Sequence, residues 1–231
     1  MCFRGKFVTM KRKFEGLLLA LCLAFISCGN KDSLYWTAVS DSEIQFYDEN
    51  ISLVNDEESG ESFFKYSLFY KDIQPQTVNN VYAKTLGYDI CGFDARIKFG
   101  SGAVEYFGFV FNLNTDTNNF YLLQFTPNGS LVVSSYDGST QQISDFYEIN
   151  ASTSGWIKDS ANSVKVQTLD GGSIEIYVNG ILNYTILSPN LTYGALGVFE
   201  MLDASDLDNY SSSNPMTAFF NVKSIQHYSA K

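Results

Sequence analysis

Chemistry needs particular side chains within reach of one another, and this 231-residue chain holds few of the usual sets. Its one histidine is His227. A single imidazole excludes two-histidine zinc sites within one chain, and a Ser-His-Asp relay would have to use that near-terminal residue. Cys91 lies in the apolar run Tyr88-Asp89-Ile90-Cys91-Gly92-Phe93. A lone thiol there reads as a small core residue rather than a nucleophile. Asp203, Asp206 and Asp208 offer the hard oxygens that Ca²⁺ takes, although without EF-hand spacing. A structural calcium ion is therefore the one cofactor the residues allow, and acids in such a loop are otherwise simply solvated.

The elements that must hold these groups are β-strands. Hydrophobic residues make up 45% and charged residues 17% of the chain, which excludes a disordered class. Aromatics stand out, with 19 Phe, 15 Tyr and 2 Trp. Runs rich in Phe, Tyr, Val and Ile alternate with Gly, Asn, Asp and Ser clusters. The pattern predicts strands at 63–70, 81–85, 88–99, 105–113, 120–126, 130–136, 142–149, 163–169, 173–178, 182–187, 195–202 and 218–227. Asn128-Gly129 and Asn179-Gly180 suit tight hairpin turns, and Asp137-Gly138 and Asp170-Gly171-Gly172 end strands likewise. Successive short hairpins imply antiparallel pairing, since parallel strands need long crossovers. About twelve strands in one domain define an all-β, two-sheet antiparallel sandwich. Trp36 and Trp156 are read as packing residues.

Residues 1–27 have the layout of a secretion signal. Lys11, Arg12 and Lys13 form a basic stretch, with Met10 just before it as an alternative start to Met1. Gly16 to Ile26 is an apolar run too short to span a bilayer, which takes about 20 residues. Ser27-Cys28 at its end resembles a bacterial lipobox, with Phe25 where leucine is usual. That resemblance implies cleavage before Cys28, lipidation of Cys28 and an exported protein held to a membrane, the outer membrane or cell surface rather than the inner one. Residues 28–62 are then a lipidated N-terminus and acidic tether with room for an outer strand, and 63–231 are the sandwich. Cleavage would remove five of the 15 basic residues and one of the 25 acids, leaving 10 against 24 and a formal charge of −14. Such a chain repels nucleic acid, so none is expected as a partner. Cys2 and Cys22 would leave with the signal, so the exported domain is held by its core without a disulfide.

From about Gly87 to Ile225 the chain resembles the concanavalin A-like lectin/glucanase superfamily in its laminin-G-like form. The residues that carry this are Phe93-Asp94-Ala95-Arg96-Ile97-Lys98-Phe99 and Tyr106-Phe107-Gly108-Phe109-Val110-Phe111-Asn112. They continue in Asn119-Phe120-Tyr121-Leu122-Leu123-Gln124-Phe125, Asn162-Ser163-Val164-Lys165-Val166 and Ile174-Glu175-Ile176-Tyr177-Val178-Asn179-Gly180. Gly194-Ala195-Leu196-Gly197-Val198-Phe199 and Phe219-Phe220-Asn221-Val222-Lys223 complete the succession. The resemblance implies a jelly roll of two curved sheets whose concave face binds or processes glycans. The last-strand motif usually carries Asp before the Asn, and here Phe220 takes that place.

The glucanase branch of that superfamily works with carboxylates spaced Glu-x-Asp-x-x-Glu on one strand. No strand-like run shows that spacing or a close variant of it, and Glu105 and Glu175 each stand alone, so the chain is not expected to be an enzyme. A sugar-binding face needs aromatic platforms and planar polar partners, for which Tyr106, Asn112, Gln124 and Tyr136 are the candidates. The expected function is non-catalytic recognition of a glycan or glycoconjugate by a membrane-anchored lipoprotein. The alternatives are a protein–protein contact or adhesion module of the cell envelope, with an envelope or host protein as partner, and a divergent glycoside hydrolase.

Overall fold

The computed structural model describes residues 33–46, 48–57, 59–68, 78–100, 106–201 and 216–228. The signal segment, Cys28, Glu105 and the Asp203, Asp206 and Asp208 group lie outside them. Residues Leu34–Ser229 cluster as one compact unit. Fourteen strands are described: β1 (Leu34–Ala38), β2 (Ile51–Asn55), β3 (Ser62–Leu68), β4 (Asn79–Tyr82), β5 (Ile90–Phe99), β6 (Tyr106–Asn114), β7 (Asn119–Phe125), β8 (Leu131–Asp137), β9 (Gln142–Ile149), β10 (Asn162–Thr168), β11 (Ile174–Val178), β12 (Ile181–Ile186), β13 (Ala195–Met201) and β14 (Met216–Tyr228). One helical turn, α1 (Ala151–Ser154), follows β9.

The strands form two antiparallel sheets. One runs β12-β11-β10-β5-β14-β3-β2, and β1 lies end to end with β3 along the same edge of β14. The other runs β4-β13-β6-β7-β8-β9. Side-chain alternation explains the layering. In β10, Val164 and Val166 are buried while Lys165 and Gln167 point out. In β11, Ile174, Ile176 and Val178 are buried while Glu175 and Tyr177 point out. β5 buries Phe93, Ala95 and Ile97 and presents Asp94 and Arg96. From the second sheet, Phe107, Phe109 and Phe111 of β6 meet them, with Phe93 and Phe109 centroids 4.8 Å apart.

β6 is buried on both faces, as its unbroken apolar sequence foretells. Its other face joins a second cluster of Val110, Leu113, Phe120, Leu122, Ala195 and Phe199, on the side of the six-stranded sheet away from the sandwich core. Gly108 makes the β6 packing possible. A Cβ there would lie 1.8 Å from the Leu123 carbonyl oxygen and 3.2 Å from the Phe199 ring.

The acidic segment 28–62 contributes more than one outer strand. It builds β1, a 3₁₀ turn at Asp41–Glu43 and β2. Ile44 is buried in the core, and Phe46 sits edge-on to Phe64 and Phe220, 5.3 Å from each. These apolar residues come singly among acids, so no periodic run marks them in the sequence.

Turn chemistry departs from expectation at one hairpin. Asn179-Gly180 has φ of 48° and 80°, both positive as a two-residue β11–β12 turn requires. Between β7 and β8, only Gly129 of the Asn128-Gly129 pair has positive φ, at 91°. Its N–H donates to the Thr126 carbonyl, and Thr126 and Ser130 pair at the base. Pro127 has no N–H to pair with Ser130 at the base of a two-residue turn, so pairing falls to Thr126 and Pro127 takes the second position of a four-residue turn.

Candidate functional site

The sequence candidates fall into two groups. Gln124 and Tyr136 are on the outer face of the six-stranded sheet, and Tyr106 packs against the same apolar cluster. Register places Tyr106 and Tyr136 about six residues apart along the strands, or about 20 Å. Gln124 is only 3% exposed, and its Nε2 donates to Ser134 Oγ, which donates to Asp145 Oδ1 at 2.7 Å. Tyr136 stacks on Phe120 at 4.6 Å. Asn112 occupies a bulge with φ of 52°, is 2% exposed, and donates from Nδ2 to the Leu191 carbonyl at 3.0 Å. The structure therefore joins Gln124 to β8 and β9, ties Asn112 to the loop before β13, and leaves Tyr106 and Tyr136 far apart.

Part of the carboxylate spacing is present on β9. Asp145 and Glu148 occupy its last two acidic positions, with Ile143 at the first. A register shift between Val133 and Ser134 places Asp145 opposite Ser134 and Glu148 opposite Val132, so both acids share the outer face. Sequence spacing alone puts residues three apart on opposite faces, and only the bulge brings them together.

The groove that sequence reasoning missed is on the outer face of the eight-stranded sheet. It encloses about 340 Å³ and is lined by Asp94, Ser163, Lys165, Gln167, Tyr177 and Gly180. Register builds it. Lys165 on β10 is opposite Asp94 on β5 and Tyr177 on β11, while Gln167 is opposite Glu175. Cross-strand neighbours of this kind have Cβ atoms about 5 Å apart, so the five side chains form one polar surface. Tyr177 donates its hydroxyl to Glu175 Oε2 at 2.6 Å, and Gln167 Nε2 donates to the same oxygen at 2.9 Å. These two donors hold the Glu175 carboxyl below the ordinary carboxylate range. Partial burial pushes Asp94 the other way, opposed by the charges of Lys165 and Arg96.

Trp36 on β1 brings an aromatic ring to Lys165, one of the residues lining the groove. The residue is 38% exposed and its ring lies 5.1 Å from Lys165 Nζ, a cation–π contact. The reading of Trp36 as a packing residue thus gives way to a half-open position beside the groove. Trp156 does pack, against Phe99 and Phe125. The strands beneath are locked by Gln226, whose side chain crosses β5 at Gly92 to accept from the Thr168 N–H at 2.8 Å and donate to the Thr168 carbonyl at 3.0 Å. A Cβ at Gly92 would stand 2.5 Å from Gln226 Oε1, so glycine opens that path. His227 is used in packing: it stacks on Tyr35 at 5.4 Å with Nδ1 3.3 Å from Asp89 Oδ1.

No group of three or more metal-ligating side chains occurs among the described residues, and no described helix is long and apolar enough to cross a membrane.

Comparison with solved structures defines the fold class. The carbohydrate-binding module CBM66 from Bacillus subtilis superposes with a TM-score of 0.51 at 14% identity, covering 82% of this chain and 94% of that one. A Bacillus licheniformis β-glucanase gives 0.54 at 14% identity, covering 86% and 99%. The catalytic domain of a laminarinase from Thermotoga petrophila gives 0.51 at 10%, covering 86% and 100%. The chain has the concanavalin A-like jelly-roll fold. No protein-family model matches the sequence. No curated protein matches it either.

Proposed function

We propose that this protein is a non-catalytic glycan-recognition domain, exported and held to a bacterial membrane through lipid on Cys28. The observation that carries the reading is the groove lined by Asp94, Lys165, Gln167 and Tyr177, with Glu175 bonded to Gln167 and Tyr177 and the Trp36 ring against Lys165. Saccharides present apolar ring faces and rims of hydroxyls. An aromatic flank beside planar, pre-bonded acceptors complements both, and 340 Å³ falls in the range of small-ligand sites. Asp94 and Glu175 lie two strands and two residues apart, so their Cα atoms are separated by about 12 Å, with Lys165 between them. With the Lys165 ammonium between them, the two carboxylates are read here as ligand acceptors rather than as a catalytic pair flanking a glycosidic bond. The fold is shared with both binding modules and hydrolases, and the choice between them rests on this groove.

The test is a glycan array and polysaccharide pull-down with residues 29–231, alongside Tyr177→Ala and Trp36→Ala. Specific retention by the parent, lost in both variants with the thermal transition unchanged, supports the reading. Retention unaffected by both variants, or no retention from folded protein, sinks it.

A hydrolase reading draws on Asp145 and Glu148 alone, because the β9 bulge sets two carboxylates on one face. It predicts release of reducing ends from a polysaccharide that stops in Glu148→Gln.

A further inference from the structure

We infer that the groove on the eight-stranded sheet selects saccharides carrying a free amine over neutral ones, and neutral ones over acidic ones. The inference rests on the glycan reading above and concerns which class of sugar fits. The groove's one ammonium, Lys165 Nζ, already faces the Trp36 ring at 5.1 Å, with Asp94 opposite it in register and the Glu175 charge acting on the same surface. Around it the carboxylates of Asp94, Glu175 and Glu61 share two cations, Lys165 and the Arg96 guanidinium, which acts on Asp94 and lies 3.9 Å from Glu61. Glu175 Oε2 is taken up by Tyr177 and Gln167, which fixes the carboxylate plane and leaves its second oxygen to accept from a ligand. A ligand therefore meets acceptors in excess and a net negative surface.

Hydroxyls satisfy such acceptors, an ammonium satisfies them and adds attraction, and a ligand carboxylate meets repulsion. The chain's surplus of 25 acids over 15 basic residues acts in the same direction at longer range.

The probes are glucose, glucosamine and glucuronate, one ring with three charge states, titrated into the domain at millimolar concentration and followed by NMR at the Trp36 indole, Gln167 and Tyr177. Exposed charge pairs contribute modestly, so glucosamine is expected to bind about two- to fivefold more tightly than glucose. Glucuronate is expected to be the weakest of the three. The amine advantage is expected to shrink toward one in Asp94→Asn, in Glu175→Gln, and in the parent protein at about 1 M salt, where screening acts within a few ångström. Glucuronate binding as tightly as glucose overturns the inference, as does an amine advantage untouched by both variants and salt. Glucose binding with no amine preference refutes this selectivity and leaves the glycan reading standing. No perturbation by any of the three refutes the selectivity, and the array then decides the broader reading.

Discussion

Glu200 shows how far a single residue can depart from the pattern around it. It is an inward-facing position of β13, opposite Phe107 on β6 and Asn79 on β4, and it is 0% exposed with neither carboxyl oxygen hydrogen-bonded. Burial, with Asp48 adding like charge, holds its carboxyl well above the ordinary range. The folded protein keeps this proton over a range where the unfolded chain, titrating near 4.5, has lost it. Unfolding therefore releases a proton, and stability falls as pH rises above about 4.5 toward the folded pKa, by about 1.4 kcal/mol per unit from this one group. Glu200→Gln is expected to flatten that slope, so that its stability relative to the parent is higher at pH 8 than at pH 5, read from urea unfolding at both values. In the groove the sign reverses. Tyr177→Phe removes the leading donor to Glu175, so the Glu175 carboxyl should titrate at higher pH by NMR, with little change in stability because the group is exposed.

At the scale of the element, strand positions were largely legible and pairings were not. The alternations in β5, β10 and β11 show in the sequence as one apolar and one polar face, and burial follows them. The groove needed more. Asp94, Lys165, Gln167, Glu175 and Tyr177 are spread over 84 sequence positions, and only the β5-β10-β11 order brings them together. Trp36 arrives from still further away, on a strand whose flanking acids mask its apolar residues. Asp145 and Glu148 share a face because of a bulge, which leaves no residue signature here. Glycine at close strand approaches was visible as a residue but not as a constraint. Gly92→Ala is expected to cost about 1–3 kcal/mol in denaturant unfolding, since its Cβ would displace Gln226 and press on the Val166 carbonyl at 2.6 Å. Gly180→Ala, at φ of 80° but in open space, should cost only about 1 kcal/mol, so the two variants separate crowding from backbone strain.

For the molecule as a whole, the N-terminal segment belongs to the sheet that carries the groove. β1 pairs with β14 alone, over the five positions from Leu34–Tyr228 to Ala38–Ser224, and brings Trp36 against Lys165. A chain starting at residue 40 should keep Ile44 and Phe46 in the core and still unfold cooperatively, at a somewhat lower temperature, while its glycan affinity falls at least as far as in Trp36→Ala; calorimetry and the array measure the two separately. Trp36 stands eight positions after Cys28, at most about 28 Å of extended chain. In the anchored form the groove would then work close to the bilayer. On the proposed anchoring the tether would also have a mechanical role. Tension between a membrane and a captured surface would enter at Leu34 and be borne first by the five-residue β1–β14 ladder. Trp36 is the third residue of that ladder, so stretching would draw the indole away from Lys165 before the load reached the core, and the grip on ligand would slacken under shear.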